Sequence, residues 1–454
     1  MGGKGMKKTL AFGLAAYLGW HLASAQENLT LDQCIALSLR ESEALRADER
    51  GVEATQYDSN TLFWSYFPTT SISATYLKLF FEPPLEKIVI PQIPGMTDLS
   101  GAFDLPEWAR TIDITIAQPV TPLWSVWKGH DAKRLAAEIA TFRQKAHADQ
   151  IAAKVAEYFY SYLMLTQIET LLNETEKQLE RYAAQAQGFV ETGMADKRAV
   201  LKVSLEKSKL AKEREQVLGT KTVVKRALSL LMNRPPDSFD LDYDEPDFTP
   251  MTLSREILTE IQKQHRPEIK ILERLDRIAD NLDDIALQPL IPTIAVTGGY
   301  KHNFDDTLIN PEGTFFVGAV LSWTFGFDTM KHVNAYRKAQ SEKAITLLTS
   351  IDARKQMDLQ LSHLHADLAV KEKEIAIASA SIEAAAENLR IEEAKYQEKL
   401  TTETDLLAAS LQERQAKTSY ITAVFQYKIA LWKLAATIGI PLDRLTRELN
   451  ETSR

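Results

Sequence analysis

The chain has little cysteine, no long apolar run and no excess of positive charge. Its single cysteine, Cys34, excludes an intramolecular disulfide and is predicted to be a buried, small apolar residue. A transmembrane helix needs about 20 mainly apolar residues. The most apolar C-terminal segment is interrupted by Lys428 and Lys433, so no such helix is predicted. The formal net charge of −9 makes nucleic acid an unfavourable partner.

The chain also lacks the motifs of common enzymes, because HExxH, GxSxG and P-loop patterns are all absent. Gly298 and Gly299 are interpreted as a strand-end pair rather than a phosphate loop. His363 and His365 are two positions apart, so on a helix they point to different faces. His363 and Asp367 have metal-pair spacing, but surface helices produce such pairs by chance. We therefore predict no enzyme, no cofactor and no metal site.

The longest segment without a helix breaker runs from Phe327 to Ile438 and contains neither glycine nor proline. Heptad spacing of apolar residues is typical of long helices that lie side by side. Apolar residues recur at every seventh position here: Leu361, Leu368, Ile375, Ile382, Leu389 and Tyr396. The stripe stops at residues 399–404, where threonine clusters, so we predict a helical hairpin that reverses there.

The N-terminus has the pattern of a secretory signal peptide. Three lysines at positions 4, 7 and 8 precede an uncharged run that ends in Ala23-Ser24-Ala25. A basic start, an apolar centre and a small-residue end predict cleavage before Gln26. The alternative is a membrane anchor. Translation from Met1 or from Met6 is compatible with this pattern.

Two copies of one plan follow. Each copy is predicted to contain a helix, two strands with alternating polar and apolar residues, and a long helical hairpin. Pro68 and Tyr76 of the first copy recur as Pro292 and Tyr300. The predicted first repeat, 26–233, follows the signal peptide 1–25 and contains a helix over about 30–61, strands near 69–79 and 111–118, a loop over 80–107 and a hairpin over 128–231. An acidic, proline-rich linker, 234–252, leads to the second repeat, 253–439, which contains a helix over about 253–287, strands near 293–300 and 315–325 and a hairpin over 327–438. The predicted C-terminal tail is 440–454.

Four strands per chain leave two sheet edges unpaired. They are too few for a closed barrel, since the smallest transmembrane barrels have eight strands. Several chains would therefore have to share one barrel. A membrane barrel carries an aromatic girdle near its strand ends. Tryptophans occupy such positions here: Trp64, Trp108, Trp124, Trp127 and Trp323. The alternative is that they fill the core of a soluble β-sheet.

The duplicated order resembles the TolC-like outer-membrane channel family, also called outer-membrane factors. Short segments carry the same resemblance: Leu29-Thr30-Leu31-Asp32, the prolines before the strands, Arg266-Pro267-Glu268-Ile269, Trp323-Thr324-Phe325-Gly326-Phe327-Asp328 and the two hairpin tips. The resemblance implies a mainly α-helical fold with a membrane β-barrel. In the implied homotrimer, four strands from each chain form one twelve-stranded barrel on an α-helical periplasmic tunnel. It also implies contact with outer-membrane lipid, a periplasmic adaptor (membrane fusion) protein and an inner-membrane transporter.

The resemblance implies a pore gate at the second hairpin tip. Asp405 matches the first aspartate of a ring that narrows the periplasmic entrance, while the second ring position is Ala408. From the residues alone, Asp405 is interpreted as a carboxylate that stabilises a helix N-terminus. Tyr396 matches a tyrosine that helps to latch the closed state. The usual partners of that tyrosine appear as Ala199 and Thr401, which departs from the family pattern.

The hairpin tips are also the predicted adaptor contacts, through Gly193, Asp196, Lys399 and Thr402. Lys399 stands where the family commonly has glycine. The predicted function is a passive outer-membrane exit duct for a tripartite efflux pump or a type I secretion system. A soluble periplasmic coiled-coil adaptor or scaffold is the alternative, although the duplicated strand pairs argue against it. Drugs, metal ions and polypeptides remain open as cargo.

Overall fold

The computed structural model describes residues 27–78, 108–242, 248, 250, 254–304, 313–324, 326–442 and 444–445. The predicted signal peptide, the predicted loop 80–107 and most of the predicted C-terminal tail lie outside these residues. The described strands are β1 (Glu27–Leu29), β2 (Thr69–Lys78), β3 (Trp108–Pro119), β4 (Phe239–Leu241), β5 (Thr293–Asn303) and β6 (Gly313–Ser322). The described α-helices are α1 (Leu31–Glu41), α2 (Glu43–Trp64), α3 (Leu123–Glu191), α4 (Arg198–Met232), α5 (Arg255–His265), α6 (Pro267–Ile285), α7 (Phe327–Gln397) and α8 (Glu403–Ile438).

The chain packs into two compact units. The helical unit comprises residues 1–48, 143–269 and 354–454, and the sheet unit comprises residues 49–142 and 270–353. Each of the two sequence repeats contributes residues to both units. A unit therefore gathers equivalent parts of the two repeats, and does not correspond to one repeat.

Both helices predicted to precede the strands are interrupted. The first breaks at Ser42, whose extended backbone (ψ 114°) ends α1 and whose hydroxyl accepts a hydrogen bond from the Leu45 N–H at 3.3 Å. The second breaks at Arg266 (ψ 118°), because a residue before proline is pushed out of the helical region and Pro267 follows. Thr30 and Gln33 form a capping box at the start of α1.

Other boundaries also differ from the predicted ones. The second strand begins at Trp108 rather than near 111, and the fourth ends at Ser322 rather than near 325. Part of the predicted linker 234–252 forms β4, which pairs in parallel with β1. Phe239 of β4 is fully buried together with Leu29 of β1, so this short pairing contributes to the core of the helical unit.

The predicted heptad stripe faces the core of the helical unit. Five of its residues are at most 5% exposed: Leu361, Leu368, Ile375, Leu389 and Tyr396. The first three pack with α5 and α8, and Leu389 packs with α3 and α4 near the hairpin ends. The chain reverses between α7 and α8 at residues 398–402, which overlap the predicted reversal at residues 399–404. Heptad periodicity thus identified the buried face of α7.

A glycine ends α8 at a close approach. Gly439 has φ +85°, and a Cβ there would lie 2.7 Å from Pro267 Cδ and 2.8 Å from the His265 carbonyl oxygen. We expect Gly439→Ala to lower the free energy of unfolding by about 2 kcal/mol or more, from left-handed strain and overpacking. Denaturant unfolding of the purified protein measures this. Gly219→Ala is the control, since Gly219 lies within α4 in open space, and it should be neutral or stabilising. An equal change in the free energy of unfolding for Gly439→Ala and Gly219→Ala would contradict the close approach at Gly439.

The sheet unit contains a four-stranded antiparallel sheet of order β2-β3-β5-β6. Residues paired across all four strands share a face, as in the row Ile72, Ile114, Tyr300 and Phe315. The adjacent row, which is Ser73, Asp113, Lys301 and Thr314, lies on the opposite face. The sheet therefore has an apolar face and a polar face. Phe316 and Val320 of β6 and Leu77 of β2 are exceptions, because they place apolar groups on the polar side.

Candidate functional site

The first tip, residues 192–197, connects α3 to α4 in the helical unit. Gly193 adopts φ +70°, a conformation that favours glycine. Asp196 accepts a hydrogen bond from the backbone N–H of Arg198 at 2.9 Å and forms an ion pair with the Arg198 guanidinium at 3.0 Å. The backbone hydrogen bond from Arg198 is the largest cause that lowers the pKa of Asp196. The carboxylate of Asp196 thus stabilises the start of α4.

The second tip, residues 398–402, connects α7 to α8. Thr402 is the N-cap of α8, and its hydroxyl accepts a hydrogen bond from the Asp405 N–H at 3.3 Å. The Asp405 carboxylate accepts in return from the Thr402 N–H at 3.3 Å and from the Thr402 hydroxyl at 2.6 Å. The result is a complete capping box, which fixes where α8 begins.

Asp405 is exposed at this tip, and hydrogen bonds stabilise the ionised form of its carboxylate. The side-chain hydrogen bond from Thr402 is the largest cause that lowers its pKa, and a bond from Thr401 at 3.4 Å acts in the same direction. Within one chain, the structure supports the helix-end interpretation of Asp405. A pore role needs further copies of the chain and stays a prediction.

Tyr396 lies in the core between the hairpins and is only 4% exposed. Its ring contacts Phe189 edge-on, with ring centroids 5.6 Å apart. Burial is the main cause that raises the pKa of Tyr396. The Thr401 hydroxyl, at a position where the family places a latch partner, donates instead to Glu392 at 2.7 Å. Tyr396 therefore packs within its own chain through its ring.

Two lysines connect the ends of the two hairpins, and the sequence did not predict these contacts. Lys399 adopts φ +60° in the position where glycine is common. Its ammonium lies 4.6 Å from the centroid of the Phe189 ring and contacts the sulfur of Met194 in the first tip. Lys202 of α4 donates to the Thr404 hydroxyl of α8 at 2.7 Å. These contacts couple the second hairpin end to the first.

The cation–π contact of Lys399 can be measured with a double-mutant cycle. Lys399→Gly relieves left-handed strain and removes the contact, so these two effects oppose each other in the single variant. Combined with Phe189→Leu, it should give a coupling energy of about 0.5–1 kcal/mol. Unfolding of the four proteins in denaturant provides the values. The control cycle pairs Lys399→Gly with Leu172→Ala, a buried residue farther along α3, and should show no coupling. Equal coupling in both cycles would contradict the contact.

The sheet is the second candidate site, because its apolar face is exposed. Ile72 is 73% exposed, Phe315 84% and Val317 85%. Within the described part of the chain, no strand pairs with the outer edges of β2 and β6. Trp64, Trp127 and Trp323 are more than half exposed near the ends of the strands, so they do not fill a core within one chain. An apolar face of this kind requires an apolar environment or a partner.

No helix among the described residues combines the length and the apolar character of a membrane span. In the same part of the chain, no group of three or more metal-ligating side chains converges. His363 and Asp367 lie on α7, and among the described residues no third metal-ligating group joins them.

Solved structures provide the comparison for this architecture. The outer-membrane channel OprN has a TM-score of 0.77 and 14% identity, over 91% of this chain and 90% of that chain. This chain has the fold of an outer-membrane channel. The outer membrane protein VceC from Vibrio cholerae has a TM-score of 0.74 and 14% identity, over 91% of this chain and 96% of that chain. The CmeC outer membrane channel of Campylobacter jejuni has a TM-score of 0.73 and 14% identity, over 93% and 89%.

The outer-membrane-channel fold covers both units. The resemblance to TolC-like channels is therefore confirmed at the level of the fold. No protein-family model matches the chain, and no curated protein sequence matches it. Because sequence identity to these solved structures is low, they establish the fold of this chain and not its function.

Proposed function

We propose that the chain is the outer-membrane exit channel of an export system, assembled as a homotrimer. The observation that carries the proposal is the four-stranded sheet with one exposed apolar face, one polar face and two edges that no other described strand pairs with. A barrel removes the edges, turns the apolar face to lipid and encloses the polar face. Three copies would supply twelve strands, which is enough for closure. The similarity to solved outer-membrane channels supports this assembly.

The long helix α7 supports assembly of several copies. Leu359, Val370 and Ile377 are each more than half exposed. Each of them stands two positions from a buried residue of the heptad stripe, and a step of two positions on an α-helix turns the side chain to the opposite face. One face of α7 thus packs within the chain and the other presents an apolar stripe. In the proposed trimer, neighbouring copies cover that stripe.

The hairpin tips are proposed as the gate and the docking point of the channel. Asp405 of three copies would form a ring of carboxylates at the periplasmic entrance. Gly193, Asp196, Lys399 and Thr402 would face a periplasmic adaptor, which connects the channel to an inner-membrane transporter. The proposed export system is a tripartite efflux pump or a type I secretion system. Neither use requires chemistry on the cargo.

A soluble adaptor or scaffold is the competing function. It would leave the exposed apolar face and both sheet edges without a partner in water. Such an edge is a template for aggregation, which soluble proteins avoid. The sheet therefore favours the channel.

Cell fractionation with conductance measurements tests the proposed function. We expect the mature protein, beginning at Gln26, to be recovered from outer membranes as a detergent-stable oligomer that forms ion-conducting channels in planar bilayers. Recovery as a soluble periplasmic monomer would contradict the proposal. A membrane-bound oligomer that never conducts under any voltage or pH would also contradict it.

A further inference from the structure

A cleft of about 330 Å³ lies in the helical unit, where α3, α7 and α8 meet the turn between α5 and α6. Its charged lining consists of Lys154, Glu157, Arg266, Glu268 and Lys433. None of these residues belongs to a hairpin tip or to the sheet. One water takes up roughly 30 Å³ in the liquid, so the cleft has room for a ligand of several non-hydrogen atoms.

Arg266 is the most deeply placed of these charges, at 5% exposure. Its Nη2 donates to the Gln360 side chain at 2.7 Å, and its Nε donates to Glu268 at 3.3 Å. Its Nη1 is buried and has no hydrogen-bond partner within the described residues. Burial is the largest cause that lowers the pKa of Arg266. A buried guanidinium with an unused donor is the kind of group that an anionic acceptor satisfies.

The charges in the lining do not cancel. Glu157 pairs with Lys433 at 2.9 Å, and Glu268 pairs with Arg266. Lys154 belongs to neither pair, and its ammonium lies 5.9 Å from the centroid of the Tyr158 ring. No carboxylate among the described residues lies within ion-pair distance of Lys154. Once these two pairs are counted, Lys154 is the charged group of the lining without an ion-pair partner among the described residues, and Arg266 still has an unused donor.

We propose that this cleft binds a small oxyanion between Arg266 and Lys154. A guanidinium directs planar, multiple hydrogen bonds to the oxygens of such an anion, and an ammonium adds a point charge. The amide of Gln150, which also lines the cleft, provides a further donor. In the proposed complex, the oxyanion links Lys154 of α3 to Arg266 in the turn between α5 and α6.

Calorimetric titration of inorganic phosphate into the detergent-purified full-length protein tests the proposal, with ionic strength held constant by sodium chloride. We expect saturable binding by the wild type. Lys154→Gln should weaken the affinity about fivefold or more, and Arg266→Lys should weaken it further, because lysine cannot replace the guanidinium geometry. Lys263→Gln is the matched control. Lys263 is an exposed lysine of α5 outside the cleft, and the control should bind as the wild type does.

Lys154→Gln decides the outcome if Arg266→Lys fails to fold. Lys154 is exposed and belongs to no ion pair among the described residues, so its replacement should leave the oligomer intact, as size exclusion and circular dichroism can check. No saturable heat from the wild type, or equal affinity in the wild type and Lys154→Gln, would overturn the proposal. Phosphate binding is measured independently of conductance. A protein that conducts but does not bind phosphate would therefore contradict the oxyanion site and leave the proposed channel function unaffected.

Discussion

Gly299→Val is expected to prevent the chain from forming stable oligomers. A Cβ at position 299 would lie 2.1 Å from the Ile114 carbonyl oxygen of β3 and 3.0 Å from the Phe316 ring of β6. The backbone oxygen cannot move without disturbing the β3–β5 ladder, and that ladder joins the two strand pairs of the sheet. We expect the yield of detergent-stable oligomer to fall about tenfold or more, because overpacking costs about 1–3 kcal/mol in each copy.

Gly318→Val is the matched control for this change. Gly318 lies in β6 of the same sheet, and no atom would come within 4 Å of a Cβ there. It should therefore assemble normally, as measured by the fraction of oligomer that resists unheated denaturing electrophoresis. Normal assembly of Gly299→Val would show that the close packing of β3, β5 and β6 does not control the oligomer.

Asp405→Asn is expected to weaken cation preference and the block of the channel by multivalent cations. In the proposed trimer it removes three charges from one narrow ring, and rings of carboxylates set cation selectivity. The asparagine side-chain oxygen can still accept the hydrogen bond from the Thr402 N–H, so α8 should begin at the same residue. We expect the blocking affinity to fall about tenfold, since three carboxylates act together on each cation. Reversal potentials and block in planar bilayers measure both effects.

Glu403→Gln is the control for the gate, because it removes a neighbouring charge from the same turn of α8 without changing the capping box. It should alter selectivity less. Asp405→Ala is a poorer test, since it also removes the carboxylate that completes the capping box with Thr402. If Asp405→Asn assembles normally and keeps the selectivity and block of the wild type, Asp405 is only a helix-end carboxylate.

Periodicity predicted the parts of the fold that repeat over many residues. The heptad stripe identified the buried face of α7, because one apolar position per two turns is enough to define a packed face. Ile382 is only half-buried, since it lines an open groove beside Tyr420 and Ile421. Alternation identified the strands, while their ends moved by a few residues, because ladder pairing rather than pattern sets where a strand stops.

The sequence did not predict the contacts between segments that are far apart in the chain. The β1–β4 pairing involves three residues on each side, too few for a periodic signal. The position of Lys399 over Phe189 depends on the left-handed turn at the second tip, which lysine rarely adopts. The break at Arg266 did have a signal, the proline that follows it. The unpaired donor of Arg266 became visible only when the helices were placed around it.

Chemical cross-linking between the two sheet edges tests the central claim most directly. Ser71→Cys in β2 and Gly318→Cys in β6 place thiols on the same face at opposite edges of the sheet. The native Cys34 should not react, because burial raises the pKa of its thiol to about 12. With a short flexible thiol cross-linker, a barrel of three chains predicts covalent products that end at the trimer, and only when both cysteines are present. Monomers alone, or products that continue beyond three chains, would contradict the shared barrel.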